Sequence, residues 1–291
     1  MKKKLPRVLV ILGPTATGKS DLAVGIARIY NGEIISADSR QVYTGLDIGS
    51  GKITKREMKG IPHHLLDIIN PKKVYTVEEF KRDASDAIAD IGSRGKLPIV
   101  CGGTGFYIDA LIFDEQFPAV PPNKVLRAKL WKKTTESLYK ELLKLDPRRA
   151  KNIDPHNKVR IIRAIEIARV LGRVPKLKRH KKYDAVFLGL TLPREKLREN
   201  IHKRLMKRMK NNALIREVRD LRKNGLSWKR LHSFGLEYRY VALYLQKKLT
   251  KKEMLAELEW QIADFSKRQM TWFNRNKNIR WFSPGQAKNL L

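Results

Sequence analysis

Residues 7–12 read Arg-Val-Leu-Val-Ile-Leu, an almost unbroken apolar run. Such a run suits a strand buried on both faces of a parallel sheet. A Gly-rich turn follows, and then a helix is predicted from about Lys19 to Tyr30. Glu33-Ile34-Ile35-Ser36 predicts a short second strand that ends at Asp38. Thr76 and Glu79 have capping-box spacing. They open a helix whose apolar positions, Val77, Phe80, Ala84, Ala87, Ile88 and Ile91, keep the helical period as far as Gly92. Leu97 to Cys101 is another apolar strand and runs into Gly102-Gly103-Thr104-Gly105. Strands alternating with helices predict an α/β fold with a parallel sheet.

The pattern changes near Phe117-Pro118, and Val120-Pro121-Pro122 suits a linker. From Lys124 to about Lys182 the periodicity is helical and no strand stands out. Asp154 to Gly172 is the clearest helix there, with Pro175 beyond its end. Ala185 to Leu192 returns to strand character. Leu197, Ile201, Leu205 and Met209 then recur every four residues in a helical stretch from Arg194 to about Asn224. A second capping box, Thr250 with Glu253, opens a helix to about Phe273, and the chain is expected to end in helices. The simplest topology is an all-helical domain, residues 118–182, inserted into an α/β core made of 1–117 and 183–291.

Charge adds a direction. The 291 residues hold 62 Lys+Arg against 29 Asp+Glu, a net charge of +33, with 42% hydrophobic residues. That apolar share is enough for a core and argues against wholesale disorder. The charge is uneven: residues 1–117 carry +3, residues 118–182 carry +15 and residues 183–291 carry +15. An excess of this size implies a polyanion, either nucleic acid or an acidic membrane. No segment approaches the roughly 20 apolar residues of a membrane span. Met1-Lys2-Lys3-Lys4 followed by Val8 to Leu12 imitates a signal peptide, but Gly13-Pro14 cuts the run short. The single cysteine, Cys101, rules out an intrachain disulfide and argues against a Cys-rich zinc site. A cytoplasmic location is expected.

Gly13-Pro14-Thr15-Ala16-Thr17-Gly18-Lys19-Ser20 fits G-x-x-x-x-G-K-[ST] between a predicted strand and a predicted helix. Its amides and the helix N-terminus converge on one small space and favour phosphate. Lys19 adds a full charge, and the Ser20 hydroxyl suits a magnesium ion. The motif names a di- or triphosphate, not which one. Asp38 follows the second strand, where the crevice of an open α/β sheet lies. It is a candidate general base, a candidate magnesium ligand or a helix cap. An NTPase often has its metal-binding Asp at a strand end such as Cys101-Gly102, and its replacement by glycines weakens a hydrolase reading. Thr104 could there bond a phosphate oxygen. Adjacent His63 and His64 suit a structural role better than a metal site. Arg160 and Arg163 share one helix face. Arg204 sits beside the apolar stripe at 197–209, and residues 267–275 mix cations, amides and aromatics as surfaces that stack on unpaired bases do.

GPTATGKS at 13–20, DSRQVY at 38–43, IPHHLLD at 61–67, GGTGFY at 102–107, RIIRAIE at 160–166 and KRQMTWF at 267–273 occur in that order. The ordered set resembles the tRNA dimethylallyltransferase (tRNA isopentenyltransferase) family along nearly the whole chain. It is closer to the bacterial type, since no zinc-finger tail of the kind some eukaryotic relatives carry follows. The resemblance implies a P-loop core with an inserted helical domain, dimethylallyl diphosphate as donor and a tRNA anticodon stem-loop as acceptor, with the adenosine at tRNA position 37 modified. It places the base at Asp38, diphosphate contacts at Lys19, Thr104 and Arg204, and the diphosphate or nucleotide (ATP among them) in Gly13 to Ser20. It puts tRNA contacts at Asp38, Ser39, Arg40, Gln41, Thr104, Arg127, Val159, Arg160, Ile161, Ile162, Arg163, Lys267, Arg268, Gln269, Thr271 and Trp272. Magnesium, a monomer and no membrane complete the expectation. Two departures stand out. Phe234-Gly235-Leu236-Glu237-Tyr238-Arg239 replaces the family's usual Gly-Tyr, basic residue, Glu. One extra residue between Arg204 and Met209 brings Arg208 into contention with Arg204. Competing readings are a free-nucleotide prenyltransferase, a P-loop small-molecule kinase and an RNA-binding NTP switch. The +15 in residues 118–182 argues against the first.

Overall fold

The computed structural model describes residues 5–290. Lys2 to Lys4, part of the signal-like start, lie outside the described residues. The chain divides into two compact units, one made of the segments up to Asp114 and from His180 onward, the other of Glu115–Arg179.

In the first unit, β1 (Arg7–Leu12), β2 (Gly32–Ser36), β3 (His63–His64), β4 (Leu97–Gly102), β5 (Asp184–Leu190) and β6 (Ile279–Phe282) form one sheet in the order β3-β2-β4-β1-β5-β6. Every pairing is parallel. β1 lies between β4 and β5, with Leu12 opposite both Gly102 and Gly189. The period of two divides the strands between the faces. Val8, Val10, Leu12, Ile35 and Val100 enter the large core with the helices of the C-terminal half, and Ile11, Ile34, Ile99 and Cys101 pack against the helix α1 (Lys19–Ile29). The α/β parallel architecture matches the expectation from the alternating pattern. Because all strands run the same way, their C-terminal ends share one edge, and the turns that follow β1, β2 and β4 meet there.

The helices on this unit are α1, α2 (Lys55–Met58), α3 (Val77–Ser93) and α4 (Gly105–Ile112) before the second unit. The capping box of Thr76 and Glu79 forms as the spacing predicts, with both hydrogen bonds present. The second unit contributes α5 (Lys124–Trp131), α6 (Thr135–Leu145), α7 (Pro147–Lys151) and α8 (Lys158–Leu171). Its core is its own: Leu130, Leu138, Leu142, Ile161, Ile162 and Ile165 are buried together. α8 starts at Lys158 because the Asn157 side chain accepts the Arg160 N–H, and it stops where Gly172 turns left-handed, with φ 75°. The helical periodicity expected as far as Lys182 therefore ends earlier.

After β5 come α9 (Arg194–Met209), α10 (Ala213–Lys223), α11 (Trp228–Phe234), α12 (Leu236–Leu245), α13 (Lys251–Phe273) and α14 (Pro284–Lys288). The single helical stretch expected from Arg194 to Asn224 is broken. Asn211 and Asn212 take φ 52° and 54°, a conformation asparagine tolerates better than most residues, and the chain turns between α9 and α10. The all-helical ending is also corrected. Ile279–Phe282 adds β6 beside β5 at the sheet edge. His63 and His64 form the opposite edge, where the His64 ring meets the buried Glu33 at 2.8 Å. Among the described residues no helix is long and apolar enough to cross a membrane.

Candidate active site

The three turns at the strand ends wall a cavity of about 900 Å³ within the first unit. Thr15 to Ser20, Asp38 to Gln41 and Gly102 to Thr104 all line it. Gly13 leaves β1 with φ 143°, and a side chain there would meet the Leu190 carbonyl oxygen at 2.3 Å. Only glycine lets the loop turn over the end of β5. The loop closes on itself: the Thr17 hydroxyl donates to Pro14 O at 2.9 Å, and the Lys19 ammonium donates to the same oxygen at 2.6 Å.

The second and third turns are tied together. Ala37 O accepts from Thr104 N at 3.2 Å, and the Thr104 hydroxyl accepts from Ser39 N at 3.2 Å. Asp38 Oδ1 accepts from Arg40 N at 2.8 Å, a local turn bond that fixes the carboxylate at the cavity wall. Arg40 also lines the cavity, where it donates to Phe234 O at 2.7 Å. Gln41 accepts from the Ser36 hydroxyl at 3.0 Å and donates to Gly51 O at 3.3 Å.

The C-terminal helices complete the wall. Gln269 of α13 accepts from Thr15 N at 3.0 Å and donates to Gly103 O at 2.8 Å, so one buried amide bridges the first and third turns. A side chain on Gly103 would collide with that amide at 2.4 Å. Arg204 of α9 donates to the Thr15 hydroxyl at 3.2 Å, and Asn200 donates to Ala16 O at 3.2 Å. Arg208 also lines the cavity, but Glu237 accepts from it at 2.6 Å. Of the two arginines in contention, Arg204 therefore meets the loop and Arg208 holds the departing Glu237-Tyr238 segment.

The cavity is short of negative charge. Burial pushes the Lys19 ammonium down to about 8, helped by the Arg204 charge and opposed by Cys101 and Asp38. Burial pushes Arg204 down to about 10, with Arg208 adding to the effect. Burial also lowers Arg40 and raises the Cys101 thiol to about 11. Cations displaced in this way are stabilised by an incoming anion. The residues that could hold a magnesium ion are Ser20, whose exposed hydroxyl heads α1, and Asp38, whose carboxylate lies in the same cavity. Few hard oxygens suit an ion that keeps several waters and takes other ligands from substrate phosphates. Among the described residues no group of three or more His, Cys, Asp or Glu is disposed to hold a metal.

The remaining candidate residues fall into two places. On α13, Arg268 and Gln269 line the cavity, while Lys267, Thr271 and Trp272 do not. Trp272 donates to Asp109 at 3.1 Å, and Arg275 lies 4.8 Å above its ring. In the second unit, Ile161 and Ile162 are core residues at 0% and 3% exposure, so their side chains face no partner. Arg127 grips the buried Glu166 at 2.8 and 2.7 Å, and Arg163 donates to Val120 O at 2.7 Å. Val159 and Arg160 are exposed. This unit, residues 115–179, holds 18 basic and 6 acidic residues, a net of +12.

The IPP transferase family model matches residues 41–276, and an Isopentenyl transferase model matches residues 6–73. The chain belongs to the IPP transferase family. Among relatives, the tRNA dimethylallyltransferase of Anoxybacillus flavithermus is 41% identical over 95% of this chain and 90% of its own. The tRNA dimethylallyltransferase 2 of Treponema denticola is 45% identical over 94% of each. Among solved structures, the tRNA isopentenylpyrophosphate transferase of Bacillus halodurans superposes with a TM-score of 0.73 at 35% identity, covering 95% of this chain and 89% of that one. A eukaryotic dimethylallyltransferase, described as acting on tRNA, gives 0.80 at 26% identity, covering 95% and 73%. The IPP transferase fold thus accounts for the chain as a whole. Asn200, Glu237 and Gln269 in its bridging role carry no motif of their own; the apolar stripe of α9 packs into the core, and only polar residues beside it, such as Asn200 and Arg204, reach the site.

Proposed function

We propose that the protein transfers a dimethylallyl group from dimethylallyl diphosphate to the N6 amine of adenosine 37 of tRNA, next to the anticodon. The product is N6-isopentenyladenosine and the leaving group is diphosphate. The observation that carries this reading is the single cavity in which the phosphate loop, Arg204, Thr104 and Asp38 meet. The family membership and the naming of its relatives support the prenyl donor and the tRNA acceptor.

The chemistry is a substitution at carbon. The C1–O bond to diphosphate breaks, and its electron pair leaves with the oxygen. The N6 lone pair forms the new C–N bond, and the amine then gives up a proton. Negative charge grows on the diphosphate, where the loop amides, Lys19 and Arg204 stabilise it. The Asp38 carboxylate accepts the amine proton. Thr104, bonded to Ser39 N, keeps the Asp38 turn in register with the β4 end. Magnesium, held by Ser20 with Asp38 near it, would supply further charge for the leaving group. The adenosine has to leave its stack to reach the cavity, at a cost of a few kcal/mol. The exposed Arg160 and the +12 of the second unit suit the tRNA backbone.

The test is direct. The protein is incubated with tRNA bearing adenosine 37, dimethylallyl diphosphate and magnesium, and the tRNA is digested and analysed for prenylated adenosine. Turnover of ATP with no prenylated adenosine overturns the reading in favour of a kinase or NTPase.

A further inference from the structure

Residues 47–51 form a turn outside any helix or strand, and two of its carbonyls face α9. Gly51 O accepts from Arg204 at 3.4 Å, and Gly49 O accepts from Arg208 at 3.3 Å. The turn is itself held from behind. The Glu217 carboxylate of α10 accepts three successive main-chain N–H groups: Asp47 at 3.1 Å, Ile48 at 2.6 Å and Gly49 at 3.0 Å. It also accepts from the Tyr238 hydroxyl at 2.9 Å, and that hydroxyl accepts from Ser50 N at 3.1 Å. Four consecutive amides are thus taken by two side chains. Tyr238 is 1% exposed, and its ring sits against Gly49 so closely that a side chain there would meet it at 2.6 Å. On the other flank the Lys52 ammonium donates to Tyr43 O at 2.9 Å and pairs with Asp47 at 2.7 Å. Glu217 does not line the cavity.

We propose that Glu217 is a positioning residue: through the 47–51 turn it sets Arg204 for the diphosphate, while Arg208 is held between the same turn and Glu237. The inference rests on reading the cavity as a diphosphate site. The physical reason is the strength and number of the bonds. An ionised acceptor makes hydrogen bonds about twice as strong as a neutral one, and here one carboxylate makes four. Without it the turn amides face each other's like dipoles, the carbonyls of Gly49 and Gly51 lose their fixed direction, and both arginines lose an acceptor. Arg204 would then hold its forward position against Thr15 alone.

The experiment uses inorganic diphosphate as probe, measured by calorimetry on the full chain, beside the KM of each substrate. Glu217→Gln keeps the shape but offers one oxygen, and its amide nitrogen faces N–H donors. It is expected to raise the diphosphate Kd and the donor KM about tenfold while moving the tRNA KM less than about twofold. Tyr238→Phe leaves the three Glu217 amides in place and is expected to raise both diphosphate values about threefold. Should Glu217→Gln not fold, Tyr238→Phe decides. Unchanged diphosphate Kd in a folded Glu217→Gln overturns the proposal, and so does an equal loss on donor and tRNA. If the wild type binds diphosphate but transfers nothing, the prenyl reading fails while the calorimetric arm still decides on Glu217.

Discussion

The Lys19 ammonium donates to the carbonyl oxygen of Pro14, 2.6 Å away in its own loop. An incoming phosphate has to compete with that carbonyl, and it competes best while Lys19 is charged. Burial brings the ammonium down to about 8, so the free protein loses this proton as pH rises through about 8. Diphosphate affinity is therefore expected to fall as pH rises through about 8, by up to a decade per unit. The sign for folding is opposite. Between about 8 and the ordinary lysine value the unfolded chain binds a proton that the native state has shed, so stability rises with pH across that window. Titration calorimetry with inorganic diphosphate from pH 7 to 9.5 checks the binding prediction. Lys19→Arg should bind more weakly but flatten the profile, and a slope that survives in this variant removes Lys19 as its cause.

Asp38 is the group expected to take the amine proton. Asp38→Ala should lower kcat by about 10²–10⁴, the range of a lost general base. Binding of tRNA should change little, because the fixed cations remain. Measured tRNA affinity and single-turnover rate separate the two. Equal loss of both would make Asp38 an anchor for the RNA.

Gln269 joins the first and third turns just beyond Leu12 and Gly102, where the β1–β4 ladder ends. Gln269→Ala removes two hydrogen bonds at half-buried positions on the cavity wall, each worth about 0.5–1.5 kcal/mol, so about 1–3 kcal/mol together. For a chain of this size that is a fall in Tm of roughly 2–5 °C. The donor KM should rise with it. A variant with wild-type Tm and KM would show that the turns hold their relation without the bridge.

Arg127 and Arg160 both lie in the basic second unit, yet they predict different outcomes. Arg127 neutralises Glu166, which is 1% exposed, while being itself 43% exposed. Arg127→Ala should cost about 1–3 kcal/mol, below the 3–5 of a fully buried pair, because water can reach the vacated side. Arg160 is exposed and makes no salt bridge among the described residues. Arg160→Gln should leave Tm unchanged, weaken tRNA binding and reduce the salt slope by about 1. Thermal melts and filter binding at several salt concentrations check the pair. An unchanged slope for Arg160→Gln makes that arginine a solvated surface group.

Much of the core was legible because its signals are local. The β1 run, the glycine loop and the Thr76 and Thr250 capping boxes each lie within a dozen residues. Asp38 and Thr104 were readable from their place at strand ends. What escaped depends on partners far away in sequence. β6 is four residues long and becomes a strand only beside β5. The break at Asn211-Asn212 was written in the residues, but the apolar stripe through Met209 masked it. Ile161 and Ile162 sit within a basic segment and still belong to a core, because Ile161, Ile162, Ile165 and Ala168 fall on one broad helix face at three- and four-residue spacing. Glu217 and Glu237 are ordinary helix glutamates until the fold sets them against the 47–51 turn and Arg208.

The Gln269 bridge has a consequence for how the chain is made. Thr15 and Gln269 stand 254 residues apart. At about 5–20 residues per second, a ribosome needs roughly 10–50 s to travel between them. For all that time the nascent loop is present with its brace unmade. A contact of such long range is late by its loop-closure cost as well as by the order of synthesis. The anion cradle leaves the ribosome long before the helix that braces it, so binding competence arrives only with α13.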